Sequence, residues 1–191
     1  MRALKAATAA HHDRLERLVD IEARVGTRDA YLELLERFYG FYRPLEAALA
    51  PYAGPFGPRH PLLAADIVAV GGDVDALPLA PRLPTVGTLH DALGVLYVLE
   101  GAALGGAVIG RIVRRELGLT SAFFHNHGIA PRWRMFGEHV ERHAPVSERA
   151  AVATFEDMEV WLCGDARLTA RVAASSRPEG SDSRVLGGRR V

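Results

Sequence analysis

Residues 93–110 read LGVLYVLEGAALGGAVIG, from Leu93 to Gly110, an apolar run with helical spacing and glycines at 101, 105 and 106. Each glycine inside a helix costs about 0.5 to 1 kcal/mol relative to alanine, so three within six residues require a use for bare backbone. With no Cβ at Gly101, Gly105 and Gly106, two turns of helix can bend, and a flat partner can lie against main-chain atoms. Two partners satisfy the pattern: a planar ring, or a second helix packed through Gly101-x-x-x-Gly105. The apolar run continues to Ile112, but Glu100, Arg111 and five glycines, including Gly94 and Gly110, interrupt it. Its flanks bear water-soluble helix patterns, so it predicts a buried helix and not a membrane span.

Outward from this run, Thr88 caps the long helix and Gly118 stops it. Before it, Pro78, Pro81 and Pro84 forbid regular helix and leave an extended connector, preceded by a short helix from Leu62 to Val70. The N-terminal part predicts two amphipathic helices. Residues 3–24 carry the stripe Leu4, Ala7, His11, Leu15, Leu18 and Ile21, and a second helix opens at Thr27 and is bent or broken at Pro44, after which residues 45–49 can continue it. Beyond Gly118, a loop of residues 119–131 holds Phe123, Phe124, His125 and His127. A helix around Trp133, Phe136, His139 and Val140 follows, ended by Pro145. Ser147 caps a final helix with Phe155, Met158, Glu159 and Trp161. The fold class is all-α, with six to eight helices and no strand.

A chain of 191 residues, 49% of them hydrophobic, supports one core. The helical domain is placed at 1–174. Residues 175–191 lack hydrophobic periodicity and are expected to form a disordered tail. Lys plus Arg equals Asp plus Glu at 23 each, so no basic field points to nucleic acid or an anionic membrane surface. The single cysteine, Cys163, excludes an internal disulfide and fits a reducing, cytoplasmic setting; as a residue it reads as a small core side chain near a helix end.

Two histidines stand side by side on the first helix. His11 shares a face with Leu4, Ala7 and Leu15 and reads as a core histidine. His12 falls on a polar face with Lys5, Thr8 and Glu16. A neutral imidazole that holds a metal through one nitrogen normally donates a hydrogen bond from the other, and Glu16 or a water could accept it. His139 and His143, four apart with Glu138 and Glu141 nearby, lack the repeated Glu-x-x-His of a dinuclear bundle site and read as solvated surface. A histidine from one side and a glycine-opened helix from the other would fit a planar metal macrocycle between them. Small-residue packing remains the rival use of the glycines.

At these residues the sequence resembles the heme oxygenases, in particular the soluble bacterial type associated with bacteriophytochromes. LKAATAAHHDRLE is similar to that family's first helix, and YVLEGAALGGAVI to its distal helix. FFHNHG, Trp133, Phe136 and the 154–161 stretch add weaker likeness across residues 2–165. The resemblance implies a single-domain helical bundle with a kinked glycine-rich distal helix. The implied reaction opens heme oxidatively to biliverdin, releasing carbon monoxide and ferrous iron, with dioxygen and an external electron donor such as a ferredoxin or reductase. It implies His12 as the iron ligand with Glu16 behind it, Lys5 as a propionate contact, and Thr8 on the same helix. Gly101, Gly105 and Gly106 would be the bare backbone over which dioxygen is directed to the porphyrin edge. Arg132, Arg134 and Arg142 are further propionate candidates, and Tyr97 either reaches a propionate or packs. A bacteriophytochrome is the implied acceptor of biliverdin. Animal members carry a carboxylate where this chain has Ala102, which leaves the proton route open and admits a second reading as a heme carrier or sensor of the same fold. A third reading is a helical interaction protein whose glycines serve packing.

Overall fold

The computed structural model describes residues 1–125 and 128–164, so the expected tail and His127 lie outside the described residues. Among those described there are seven helices and no strand: α1 Arg2–Val19, α2 Ile21–Arg24, α3 Arg28–Leu49, α4 His60–Ala69, α5 Leu89–Leu117, α6 Ile129–His143 and α7 Glu148–Cys163. Three starts are set by the hydroxyls the sequence offers. Thr27, Thr88 and Ser147 each accept a hydrogen bond from the amide three residues on, at 3.2 Å, satisfying donors that the first turn leaves free. Gly118 closes α5 in the left-handed region at φ 67°.

The core is built around α3, where Tyr31, Leu34, Leu35, Phe41, Tyr42, Leu45 and Leu49 are essentially inaccessible. Helix α4 packs on α3, while α7 is the hub on which α1, α5 and α3 all lie, and α6 covers α5. By length and composition α5 could cross a membrane, but 56% of its most apolar window is buried within the fold, as befits a core helix.

Three local expectations are corrected. Residues 3–24 are not one helix: Asp20 adopts φ 43° and separates α1 from α2, a conformation that Asp tolerates among non-glycine residues, and its side chain accepts from the Ala23 amide. Pro44 does not end α3. Proline deprives the carbonyl four residues back of its helical donor, and here that carbonyl, on Gly40, accepts from the Ala80 amide of the connector at 2.9 Å. The approach is possible because residue 40 has no Cβ, which would otherwise collide with the Pro78 carbonyl oxygen. Cys163 is exposed at the end of α7 and is no part of the core.

Candidate functional site

The buried stripe of α1 is rotated from the one expected. Leu4, Thr8 and Val19 are buried, whereas Leu18 is 47% exposed. Thr8 can be buried because its hydroxyl donates to the Leu4 carbonyl at 2.8 Å, so it is a satisfied interior group. The rotation leaves His12 at the edge of the face that α1 turns to α7. Its ring stands edge-on to Phe155 at 6.0 Å and keeps a side-chain exposure of 53%. Nδ1 is the nitrogen turned toward carboxylates, 3.7 Å from Glu16 Oε2 and 3.8 Å from Asp13 Oδ1. Lys5, seven residues before His12, is exposed.

Helix α5 presents its glycines in two different ways. A Cβ on Gly105 would meet nothing within 4 Å, and one on Gly101 would reach only the benzo edge of Trp133 at 3.8 Å, an ordinary contact. Gly106 faces the other way, where a Cβ would make an ordinary 3.5 Å contact with Phe124, and a Cβ on Gly110 would press the Phe124 carbonyl oxygen at 2.8 Å. The glycines therefore differ: Gly110 admits a packed loop, Gly106 is buried beside the same loop, Gly101 stands before the Trp133 edge, and Gly105 faces free space. Gly106 consequently does not share the open face expected of it. That face is otherwise apolar, with Leu104 40% and Val108 51% exposed beside the glycines. Ala102 is exposed as well.

Helix α7 relates the two elements. It starts beside α5, with the Ser147 amide donating to the His90 carbonyl at 3.1 Å and Gly94 pressed on Ser147 and Ala150. Helices α1 and α5, which carry His12 and the open glycines, thus both pack on α7, with His12 resting on Phe155. Trp133 of α6 borders this region, tilted against Tyr97 at 5.8 Å and stacked on Phe136 at 5.6 Å. Tyr97 packs there and belongs to the wall.

The cations divide as well. Arg134 is exposed, whereas Arg132 is committed to Glu100, donating from Nε and Nη2 at 2.6 Å each, and so is not a free propionate contact. The hydrogen bonds to Glu100 hold the Arg132 pKa above its ordinary value against the opposing effect of burial. Two cavities, of about 590 and 480 Å³, lie elsewhere, meeting at Gly57, Pro58 and Arg59; the second opens on the Leu96 and Leu99 side of α5. Neither is lined by His12 or Gly105, so the candidate site is an open face and not a closed chamber.

Several partnerships are absent from the sequence reading. His60 engages Glu46 Oε2 through Nδ1 at 2.7 Å, and Glu46 also accepts from the Arg59 and His60 amides, anchoring the start of α4. Asp66 accepts from Ser121, Ala122 and Phe123 and so holds the loop that seats Phe124 on α5. His139 is not solvated surface: it packs on Phe56, its ring is 4.3 Å from that of His143, and burial lowers its pKa. One signal was available, since a lone carboxylate such as Glu100 inside an apolar helix requires a buried partner.

Comparison with known proteins adds two findings. The sequence model of the heme oxygenase family matches residues 1–56, the segment that holds His12. A protein named heme oxygenase from Xanthomonas campestris pv. campestris (strain 8004) is 32% identical over 157 residues, covering 73% of this chain and 92% of that relative.

Proposed function

The chain belongs to the heme oxygenase family and is an enzyme of that kind, and on this premise we propose that it opens heme to biliverdin with release of carbon monoxide and ferrous iron. The observation that carries the reading is the pair Gly101 and Gly105. Both sit in a helix interior where alanine is favoured by about 1 kcal/mol, and both have room for a Cβ, so among the described residues no neighbour requires glycine there. A flat ring lying against main-chain atoms would give the bare backbone a use.

The residues present fit heme. His12 offers an exposed ring whose Nδ1 is drawn to Glu16 and Asp13, an arrangement that favours the proton on Nδ1 and leaves the Nε2 lone pair for iron. Lys5 on α1 and Arg134 on α6 are exposed cations for the two propionates. Leu104 and Val108 would cover apolar porphyrin surface, and Phe155 backs the His12 ring. When bound, heme supplies the iron that activates dioxygen and is itself the substrate that is opened. Gly101 and Gly105 would offer the bound ring bare backbone in place of side chains. With Ala102 exposed and Glu100 fully paired, protons reach this face from solvent. Electrons come from an external donor such as a ferredoxin or reductase, in the cytoplasm, and a bacteriophytochrome is a fitting acceptor for the product.

Purified protein mixed with hemin and a reductant in air should lose its Soret band as biliverdin absorption grows, with carbon monoxide trapped by added ferrous myoglobin. A Soret band that persists under reducing, aerobic conditions refutes the catalytic reading. Hemin binding without turnover would instead describe a carrier.

A further inference from the structure

Glu100 and Arg132 are each poor choices for their local position. Glu100 puts a carboxylate in the apolar half of α5, 96% shielded from solvent. Arg132 stands in the first turn of α6, which begins at Ile129, where the helix dipole disfavours a cation. They resolve each other through a two-pronged pair at 2.6 and 2.6 Å. Arg132 Nη2 also donates to the Gly57 carbonyl at 3.2 Å, and its guanidinium lies 5.6 Å from the Phe56 ring. One side chain thus joins α5, α6 and the loop after α3. A buried ion pair adds little stability over apolar packing, and its best-attested use is to fix register.

The register in question is that of Trp133, the next residue. Helices lock through ridges of side chains seated in grooves, and at Gly101 α5 has no ridge to offer. A Cβ at Gly101 would stand 3.8 Å from the Trp133 edge, so the glycine leaves the indole no side chain to lock against there. Without a directional tie one residue away, α6 could slide along this smooth stretch. We propose that Glu100 is a positioning residue: through its pair with Arg132 it holds Trp133 at the rim of the Gly101–Gly105 face, making the indole a fixed wall of the heme slot. Both carboxylate oxygens are engaged by Arg132, so Glu100 acts through that residue and not as an acid or base. The role rests on the reading of this face as the heme site.

Two tryptophans are present, and Trp161 is buried in α7 with its Nε1 donating to the Arg37 carbonyl, so a Trp133→Phe control assigns the emission of Trp133. In the full chain without ligand, Glu100→Gln should shift Trp133 emission to longer wavelength while helical content stays unchanged. Its hemin dissociation constant should rise by about five- to tenfold, the scale of one displaced aromatic contact. Adding Trp133→Phe to Glu100→Gln should weaken hemin binding no further than either change alone. Unchanged emission and affinity in a folded variant, or effects that add in full, overturn the proposal. Should Glu100→Gln fail to fold, Glu100→Leu combined with Arg132→Met leaves no buried charge unpaired and carries the same measurements. If the parent protein binds no hemin, the functional reading falls, while the emission of the ligand-free variants still decides whether Glu100 places Trp133.

Discussion

Replacing Gly105 separates what the fold needs from what the ligand needs. In a helix interior, glycine to alanine is worth about 0.5 to 1 kcal/mol in favour of alanine, provided the new methyl group meets no obstacle. At Gly105 it meets nothing within 4 Å. For a domain of this size 1 kcal/mol corresponds to about 2–4 °C, so ligand-free Gly105→Ala should melt about 1–4 °C above the parent protein. Gly105→Leu tests the opposite side of the same face by filling it. In the parent protein, hemin at a hundred times its dissociation constant should add about 2.7 kcal/mol, or about 5–10 °C. Gly105→Leu should keep its ligand-free melting temperature and lose most of that hemin-induced increment, along with turnover. Differential scanning calorimetry with and without hemin gives both numbers. A lower ligand-free melting temperature for Gly105→Ala would show that the backbone at 105 is required by packing after all. A full hemin increment in Gly105→Leu would place the ligand somewhere else.

Other substitutions test neighbouring steps. Gly110→Ala should have the opposite sign to Gly105→Ala, because its Cβ would stand 2.8 Å from the Phe124 carbonyl oxygen; the expected loss is about 1–3 kcal/mol by denaturant unfolding. His12→Ala, at an exposed position, should leave stability within about 0.5 kcal/mol and sharply weaken hemin binding, with added imidazole restoring the Soret maximum. Burial, with the nearby His143 and Arg142 charges, holds the His139 pKa below its ordinary 6.5. The folded state therefore binds fewer protons than the unfolded chain in that window, and its contribution is complete above 6.5 and lost as pH falls through the folded value. Melting temperature should accordingly fall on acidification below 6.5, and His139→Gln should flatten that part of the profile; an unchanged slope would refute the assignment.

The helical class was legible from the period of each long helix, and at α3, α5 and α7 from a cap as well, since the Thr27, Thr88 and Ser147 hydroxyls cap where the sequence places them. What was not legible depended on partners distant in sequence. Pro44 reads as a break until the Ala80 amide supplies the donor that the Gly40 carbonyl lacks. The face of α1 was misjudged because a threonine that bonds its own helix can be buried as readily as an alanine, so Thr8 looks polar in sequence and is interior in the fold. Among the glycines, spacing alone could not assign each to packing or to open space. Phe124 makes the distinction, and the Asp66 carboxylate that holds its loop is 58 positions away by subtraction of their numbers.

Helix α5 changes character along its length, and that change connects fold to function. Its first half is a core helix: Leu93, Val95, Leu96 and Leu99 are almost inaccessible, and Gly94 is bare so that α7 can close on it. Past Glu100 the same helix exposes Leu104 and Val108 beside Gly105, an unfavourable presentation of apolar surface to water. A helix needed only for stability would carry polar residues there, as the outer faces of α1 and α6 do. Glu100 marks the junction, where the tie to Arg132 precedes Gly101. The first half anchors the helix on both sides; in the second half Ala103, Gly106 and Val113 stay buried, while the side of Leu104, Gly105 and Val108 is open. This arrangement leaves Gly101 and Gly105 without a described neighbour that requires glycine, and the proposed ligand is what their cost would serve.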